Sequence, residues 1–334
     1  MDKIVNLKRS TGATCAVVVA AIAIVSGGTV PAAADDGGQD ALAAIAAATP
    51  ETVDAAALVA TGWGEENAID ATLAGIDVTV PVNPADGITL ASQKSSVSIE
   101  LPFAEDASDA AVQRPGVVAY DNRNGSTTVP VVLSDGSVQI NTVIEHADAP
   151  TRYTYEIDLP DGAAIEQAGK GLIFLDRSGS SLGGLAPAWA KDATGRDVPT
   201  RYDVNGTTIT QVIEHAMGDS YPVVGDPWLG VDLIARASVS SHPKGYIVNV
   251  DPTAWGRTFS SPTTLGAHEA ELRAKLGSNA PKVTSTIREQ FNCHIVGNVF
   301  EPGTYNMESW QRYMDWGTQL NLRYQCNPDR NGYY

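Results

Sequence analysis

The stretch Thr154-Tyr155-Glu156-Ile157-Asp158-Leu159 alternates polar and apolar residues without a break, and Asp161-Gly162 follows it. Successive side chains of a strand point to opposite faces, so Tyr155, Ile157 and Leu159 share a buried face while Thr154, Glu156 and Asp158 meet water. The same rule runs through Ile76-Asp77-Val78-Thr79-Val80, Val97-Ser98-Ile99-Glu100-Leu101 and Thr207-Thr208-Ile209-Thr210-Gln211-Val212-Ile213. Between such runs stand Asp86-Gly87, Asn124-Gly125, Asp135-Gly136 and Asn205-Gly206. With Asp161-Gly162 these are hairpin-turn dipeptides, because Asn, Asp and Gly reach positive φ at little cost. Many short strands at this spacing predict a mainly β region over 75–228, an antiparallel sandwich or meander. Near its end, Tyr221-Pro222-Val223-Val224-Gly225-Asp226-Pro227-Trp228 reads as an extended connection and not a central strand, because two prolines remove ladder donors. Gly179-Ser180-Ser181-Leu182-Gly183-Gly184 reads as a loop.

Outward from this region the composition changes twice. Residues 35–74 are alanine-rich, with short helices expected at Ala41–Ala48 and Thr52–Ala60, or a tether. Before them, Lys3, Lys8 and Arg9 precede the uncharged run Ala13–Val25, and Pro31-Ala32-Ala33-Ala34 ends in small residues before Asp35. That order reads as a signal peptide, residues 1–34, cleaved between Ala34 and Asp35. The apolar run is shorter than the roughly 20 residues a spanning helix needs, and no membrane span is expected after its removal. A secreted or wall-associated protein follows.

On the other side, residues 229–334 predict a small α+β domain. Val231–Ser240 and Gly245–Val250 read as a hairpin. Leu265, Leu272 and Leu276 recur at helical spacing over Thr264–Leu276, with Glu269 and Arg273 paired at i,i+4 and Gly277 as a stop. Ile287, Phe291 and Ile295 mark a second helix over Thr284–Val296; Met307–Met314 reads as a short helix and Gln319–Gln325 as a last strand. With Cys15 inside the signal, Cys293 and Cys326 remain, an even count that predicts one disulfide outside the cell. Closing about 34 residues is worth roughly 3 to 4 kcal/mol in the chain-entropy model.

The chain carries a formal charge of −17. Residues 229–334 hold ten Lys/Arg and nine Asp/Glu, so the acidity belongs to the preceding strands. The last 106 residues also hold 12 of the 22 aromatics. Acidic strands argue against a nucleic-acid partner, since phosphates are bound by basic patches. Val143-Ile144-Glu145-His146-Ala147 recurs as Val212-Ile213-Glu214-His215-Ala216, each copy ending a strand. Adjacent strand residues face opposite ways, so structural repetition is favoured over a pair of Glu-His sites.

Gln290-Phe291-Asn292-Cys293-His294, Tyr305-Asn306-Met307-Glu308-Ser309-Trp310 and Cys326-Asn327-Pro328 resemble a conserved-domain family of unknown function, found at the C-terminus of exported actinobacterial proteins. Asp226-Pro227-Trp228 and Trp255-Gly256-Arg257 are similar to that family as well, and Trp189–Ala193 through Tyr221–Val224 is similar to the strand-rich region upstream of it. The sequence departs from the family at Trp310-Gln311-Arg312, where members carry Trp-Arg-Pro. The resemblance implies export, the disulfide and a boundary near Trp228. It brings no catalytic residue.

Chemistry is sparse. Gly-x-Ser-x-Gly, phosphate-binding and dinucleotide-binding motifs are absent, so no cofactor is expected. His268-Glu269 lacks the second histidine of a zinc helix, since position 272 is Leu272, and His268 is expected on the helix surface. Cys293-His294 lacks the four-ligand spacing of a metal site, so no metal is expected. Candidate acid and base are Glu289 and His294. Trp255, Tyr305, Trp310 and Trp316 are candidates for an aromatic binding surface, with Arg288 and Asp315 to fix sugar hydroxyls. The competing reading is a disulfide-pinned aromatic core with His294 inside it. The leading expectation is a non-enzymatic binding protein for a cell-wall or extracellular glycan or protein; the alternative is a secreted hydrolase or toxin-like effector acting through the C-terminal domain.

Overall fold

A computed structural model describes residues 36–59, 66–297 and 303–329. The expected signal peptide, with its expected cleavage between Ala34 and Asp35, lies outside the described residues. The strands are β1 (Asn67–Leu73), β2 (Ile76–Pro81), β3 (Ile88–Ala91), β4 (Ser96–Glu100), β5 (Ala111–Arg114), β6 (Val117–Asp121), β7 (Ser126–Val132), β8 (Val138–Ile144), β9 (Arg152–Asp158) and β10 (Ala164–Ala168). Then come β11 (Gly171–Leu175), β12 (Ser181–Leu185), β13 (Trp189–Lys191), β14 (Thr200–Asn205), β15 (Thr208–Ile213), β16 (Val223–Asp226), β17 (Trp228–Gly230), β18 (Ile234–His242), β19 (Gly245–Pro252) and β20 (Tyr305–Glu308). The helices are α1 (Asp36–Ala48), α2 (Pro50–Asp54), α3 (Ala254–Thr258), α4 (Leu265–Leu276), α5 (Ser285–Val296) and α6 (Trp316–Gln319).

Among the described residues, two antiparallel sheets face each other. The first runs β1-β2-β3-β4-β9-β15-β14; the second runs β10-β11-β12-β17-β8-β7-β6-β5, with β16 joining β13 to β8. Val78, Val80, Leu90, Ile99, Tyr155 and Ile157 of the first meet Tyr120, Val132, Val138 and Ile140 of the second in one core. The expected sandwich is the observed fold. β9 alternates exposed and buried along its length, as its sequence requires. β7 and β8 are instead buried at every position. Their outer face is covered by Ala41, Ile45, Val53 and Ala56, which pack on Val129, Val131, Leu133 and Val143. The alanine-rich stretch therefore supplies α1 and α2 as a lid on the second sheet, and its last residues form β1. Gln139, which faces that lid, is paired: Thr52 Oγ1 donates to its Oε1 at 2.6 Å, and its Nε2 donates to Asp226 Oδ2 at 2.5 Å. Burial pushes the Asp226 carboxyl up to about 7, against the pull of Gln139 and Trp189.

The repeated pentapeptide has a shared place in the topology. After Ile144 the chain leaves β8 in the second sheet for β9 in the first; after Ile213 it leaves β15 in the first for β16 in the second. Both copies mark a crossing between sheets.

Several local readings differ from the structure. Residues 221–228 supply β16 and the first residue of β17, and both strands pair with β8 inside the sheet. The prolines are tolerated because Pro222 precedes β16 and Pro227 falls between the two strands, where its carbonyl still accepts from Ile140 N–H at 2.9 Å. Asp161-Gly162 turns a crossing from β9 to β10 and not a hairpin. The glycine-rich 179–184 stretch enters β12. Gly184 is needed there because a Cβ would lie 2.2 Å from the Leu172 carbonyl oxygen. Residues 305–308 are a strand, pairing with β19, since Tyr305 and Met307 alternate inward. Residues 319–325 are the end of α6 and turns, not a strand.

The C-terminal part is the expected small α+β unit: the β18-β19-β20 sheet with α3 to α6. Its core continues onto the outer face of the second sheet, where Ala168, Ile173 and Ala186 join Ile234, Trp255, Phe259, Leu272 and Phe291. The composition break at Trp228 falls at the start of β17, which pairs with both β12 and β8. Thr253 caps α3 by accepting from Gly256 N–H at 2.8 Å. This sets Trp255 flat on Phe259, centroids 4.9 Å apart. Its indole N–H reaches the Trp228 carbonyl at 3.2 Å, and its backbone N–H reaches Asp135 Oδ2 at 3.1 Å. A Cβ on Gly230 would lie 2.4 Å from the indole. Gly230→Ala is therefore expected to lower stability by about 1 to 3 kcal/mol, the usual cost of overpacking, as read by urea unfolding; Gly266→Ala, where a Cβ meets nothing within 4 Å, serves as the control.

Candidate functional site

Helix α5 organises the C-terminal candidates. Thr284 caps it by accepting from Ile287 N–H, and Ile287, Phe291 and Ile295 pack inward. Cys293 on its buried side is bonded to Cys326, with Cα atoms 5.4 Å apart. Glu289, also buried, uses both carboxylate oxygens. Oε1 accepts from Arg288 Nη2 at 2.8 Å, and Oε2 accepts from the Trp316 backbone N–H at 3.0 Å. It thereby ties the start of α6 to α5. His294 lies face-on to Tyr305, centroids 5.1 Å apart at 11°. The guanidinium of Arg257 sits 5.2 Å above the same Tyr305 ring. Burial pushes the His294 imidazole down to about 4.

These contacts divide the expected aromatic surface. Trp255 and Tyr305 are core residues, because one fills the seat over Gly230 and the other is enclosed between His294 and Arg257. Trp310 is half-buried and stacks on His242 at 4.1 Å, beside the β18-β19 turn. Trp316 and Arg288 are half-buried at the α5–α6 junction. Asp315 caps α6, accepting from Thr318 N–H at 2.9 Å and Thr318 Oγ1 at 2.7 Å. Glu289 and His294 both lie below the surface, held by contacts that a structural role explains. His268 is buried, contrary to its expected surface position; its Nε2 lies 3.0 Å from the Phe259 carbonyl, and burial pushes it down to about 4. A one-sided reading of α4 missed this, because Glu269 and Arg273 pair on one side while His268 turns toward Phe291.

Among the described residues, the C-terminal unit exposes two large hydrophobic side chains. Tyr313 is 61 % exposed and Leu322 is 73 % exposed. Arg312 and Arg323 each place a guanidinium 5.7 Å from the Tyr324 ring. Arg312 also donates to the Pro328 carbonyl at 3.2 Å, and Gln311 accepts from Asp329 N–H at 2.9 Å. Gln311 and Arg312 are thus laced to the segment that carries the cystine. Pattern reading missed this shelf because its residues follow neither helical nor strand periodicity; the clustering of aromatic and arginine residues beside a cysteine was the available signal.

Clefts also lie elsewhere among the described residues. One, of roughly 270 Å³, separates β12 from α4. On its wall Glu271 accepts from Leu233 N–H at 3.0 Å and Ile234 N–H at 2.8 Å. Burial first, then Asp232, push the Glu271 carboxyl up to about 7. Another, of roughly 330 Å³, opens at the β6–β7 turn and is lined by residues that include Asp121, Arg123, Glu145 and His146. Among the described residues, no group of His, Cys, Asp and Glu is arranged to hold a metal ion. No described helix is long and apolar enough to cross a membrane.

Residues 234–329 match a protein family described as a protein of unknown function, DUF2599. This match covers the three-stranded sheet, α3 to α6 and the cystine, and leaves the sandwich outside it. No curated protein matches the chain.

The burial of His294 has a defined consequence. Its folded value of about 4 lies below the unfolded value near 6.5, so the fold prefers the neutral ring. The stability this confers is full above about pH 6.5 and is lost as pH falls toward 4. For His294→Gln, the stability difference from wild type is expected to be constant above pH 7 and to move in the variant's favour between pH 6.5 and 4, measured by urea unfolding across that range.

Proposed function

We propose that the protein acts outside the cell as a binding protein, and that the cystine-held shelf around Tyr313, Trp316, Leu322 and Tyr324 is its contact surface. The observation that carries this reading is the exposure of Tyr313 and Leu322 beside arginines on a segment cross-linked to α5. Aromatic and arginine side chains dominate binding hot spots, and a cross-linked segment loses less entropy on binding. The partner that fits best is a neutral glycan of the cell surface. Sugar faces stack on aromatic rings, and arginine guanidinium groups donate to hydroxyls. An anionic polymer fits less well, because the rest of the chain is strongly acidic. The disulfide and the amino-terminal sequence pattern support an extracellular setting.

The alternative reading, a secreted hydrolase or toxin-like effector, would draw on Glu289 and His294. Their burial and existing contacts favour the binding reading. The full exported chain is expected to be retained on purified cell-wall glycan, with Tyr313→Ala and Trp316→Ala each weakening retention at least fivefold while leaving the melting temperature within a few degrees. Equal retention of both variants, or none by the parent chain, would count against the shelf.

A further inference from the structure

We propose that the cleft at the β6–β7 turn is a separate binding site for a small zwitterion of the amino-acid type. It is independent of the C-terminal shelf. Ser126 at the start of β7 pairs with Ile144 at the end of β8, and Glu145 N–H donates to the Gly125 carbonyl at 3.0 Å. The turn bearing Arg123 is therefore held beside the segment bearing Glu145 and His146. Arg123 itself takes a left-handed backbone, φ +54°, with its N–H on Asp121 Oδ1 at 2.7 Å. The His146 ring rests on Gly125, where a Cβ would lie 2.4 Å from Nε2. Only glycine, here at φ +79°, leaves that seat open.

The comparison with the second copy of the pentapeptide decides between a spacer and a site. There, Glu214 is ion-paired with Arg201. His215 is buried, with Nδ1 2.9 Å from Tyr221 Oη and Nε2 3.0 Å from the Pro150 carbonyl. Both ring nitrogens of His215 and one carboxylate oxygen of Glu214 thus have structural partners. In the first copy the same two residue types turn outward into a cleft of roughly 330 Å³. Among the described residues the side chains of Arg123, Glu145 and His146 make no hydrogen bond or ion pair. Arg196, Arg236 and Arg273, by contrast, are all paired with carboxylates. A cation and an anion that line one cleft without reaching each other leave room for a molecule carrying both opposite charges. Its carboxylate would lie against the Arg123 guanidinium, bidentate in the favourable case, and its ammonium against Glu145 and Asp121. Ser108 and Thr127, also on the wall, offer hydroxyls to the remaining polar atoms. The cleft volume suits a free amino acid or a dipeptide.

The direct experiment is calorimetric titration of the full exported chain with L-alanine, D-alanine and glycylglycine, with acetate and methylamine as half-ligands. At least one zwitterion is expected to bind saturably, with both half-ligands at least tenfold weaker. Arg123→Gln and Glu145→Gln should each weaken that binding tenfold or more without changing the melting temperature of the free protein, because neither side chain has a partner to lose. Glu214→Gln and Trp316→Ala should leave it unchanged. Absence of saturable binding by all three zwitterions, binding that survives Arg123→Gln, or acetate binding as well as the zwitterion does would each overturn the assignment.

Discussion

Trp255 lies against the backbone of Gly230, with Phe259 stacked on its other side, and much of the molecule is arranged around that seat. The Asp135-Gly136 turn of the sandwich grips it. Asp135 Oδ1 accepts from Ser137 N–H at 3.0 Å to hold its own turn, while Oδ2 accepts from Trp255 N–H. Ser137 Oγ in turn accepts from the Trp228 indole at 2.9 Å. One carboxylate thus links a hairpin of the second sheet to the first helix of the C-terminal unit. Within the C-terminal unit, Glu271 places a buried carboxylate on the N–H groups of Leu233 and Ile234 at the entry to β18. The two units share apolar surface as well as hydrogen bonds, and the family match begins at residue 234, just beyond this junction.

The strand-rich half was legible because half-buried strands write their environment into the sequence with a period of two. β9 is the plain case. The pattern failed where a second layer covered a strand: β7 and β8 carry Thr128, Gln139, Asn141 and Thr142 in fully buried positions, and nothing local announces a lid built from Ala41, Ile45, Val53 and Ala56 far upstream. It failed again at 221–228, where prolines suggested a connection and tertiary pairing on both sides of Pro227 made two strands. In the C-terminal unit, helices with apolar spacing were readable and the disulfide followed from counting. Short segments were not. Tyr305–Glu308 is a strand only because β19 offers an edge and Gln290 holds it, accepting from Glu308 N–H at 2.9 Å.

The candidate site shows the same limit. Residue type pointed to Glu289, His294 and a group of aromatics, but type does not report which way a side chain faces. Trp255 and Tyr305 turn inward because Gly230 and Arg257 make room and charge for them. Leu322 stays out in the run of turns that leads to the cystine at Cys326. The pentapeptide copies make the point within one chain: the same Glu-His pair is absorbed into the structure at 214–215 and presented to a cleft at 145–146.

Trp255 couples the C-terminal unit to the second sheet through Gly230, Asp135 and the Trp228 carbonyl. Amide hydrogen exchange of Trp255→Ala against the parent chain tests it most directly. Faster exchange is expected in α4 and α5 and also in β11, β12 and β17, across the seam. Acceleration confined to residues 254–258, with the sandwich strands unchanged, would contradict it.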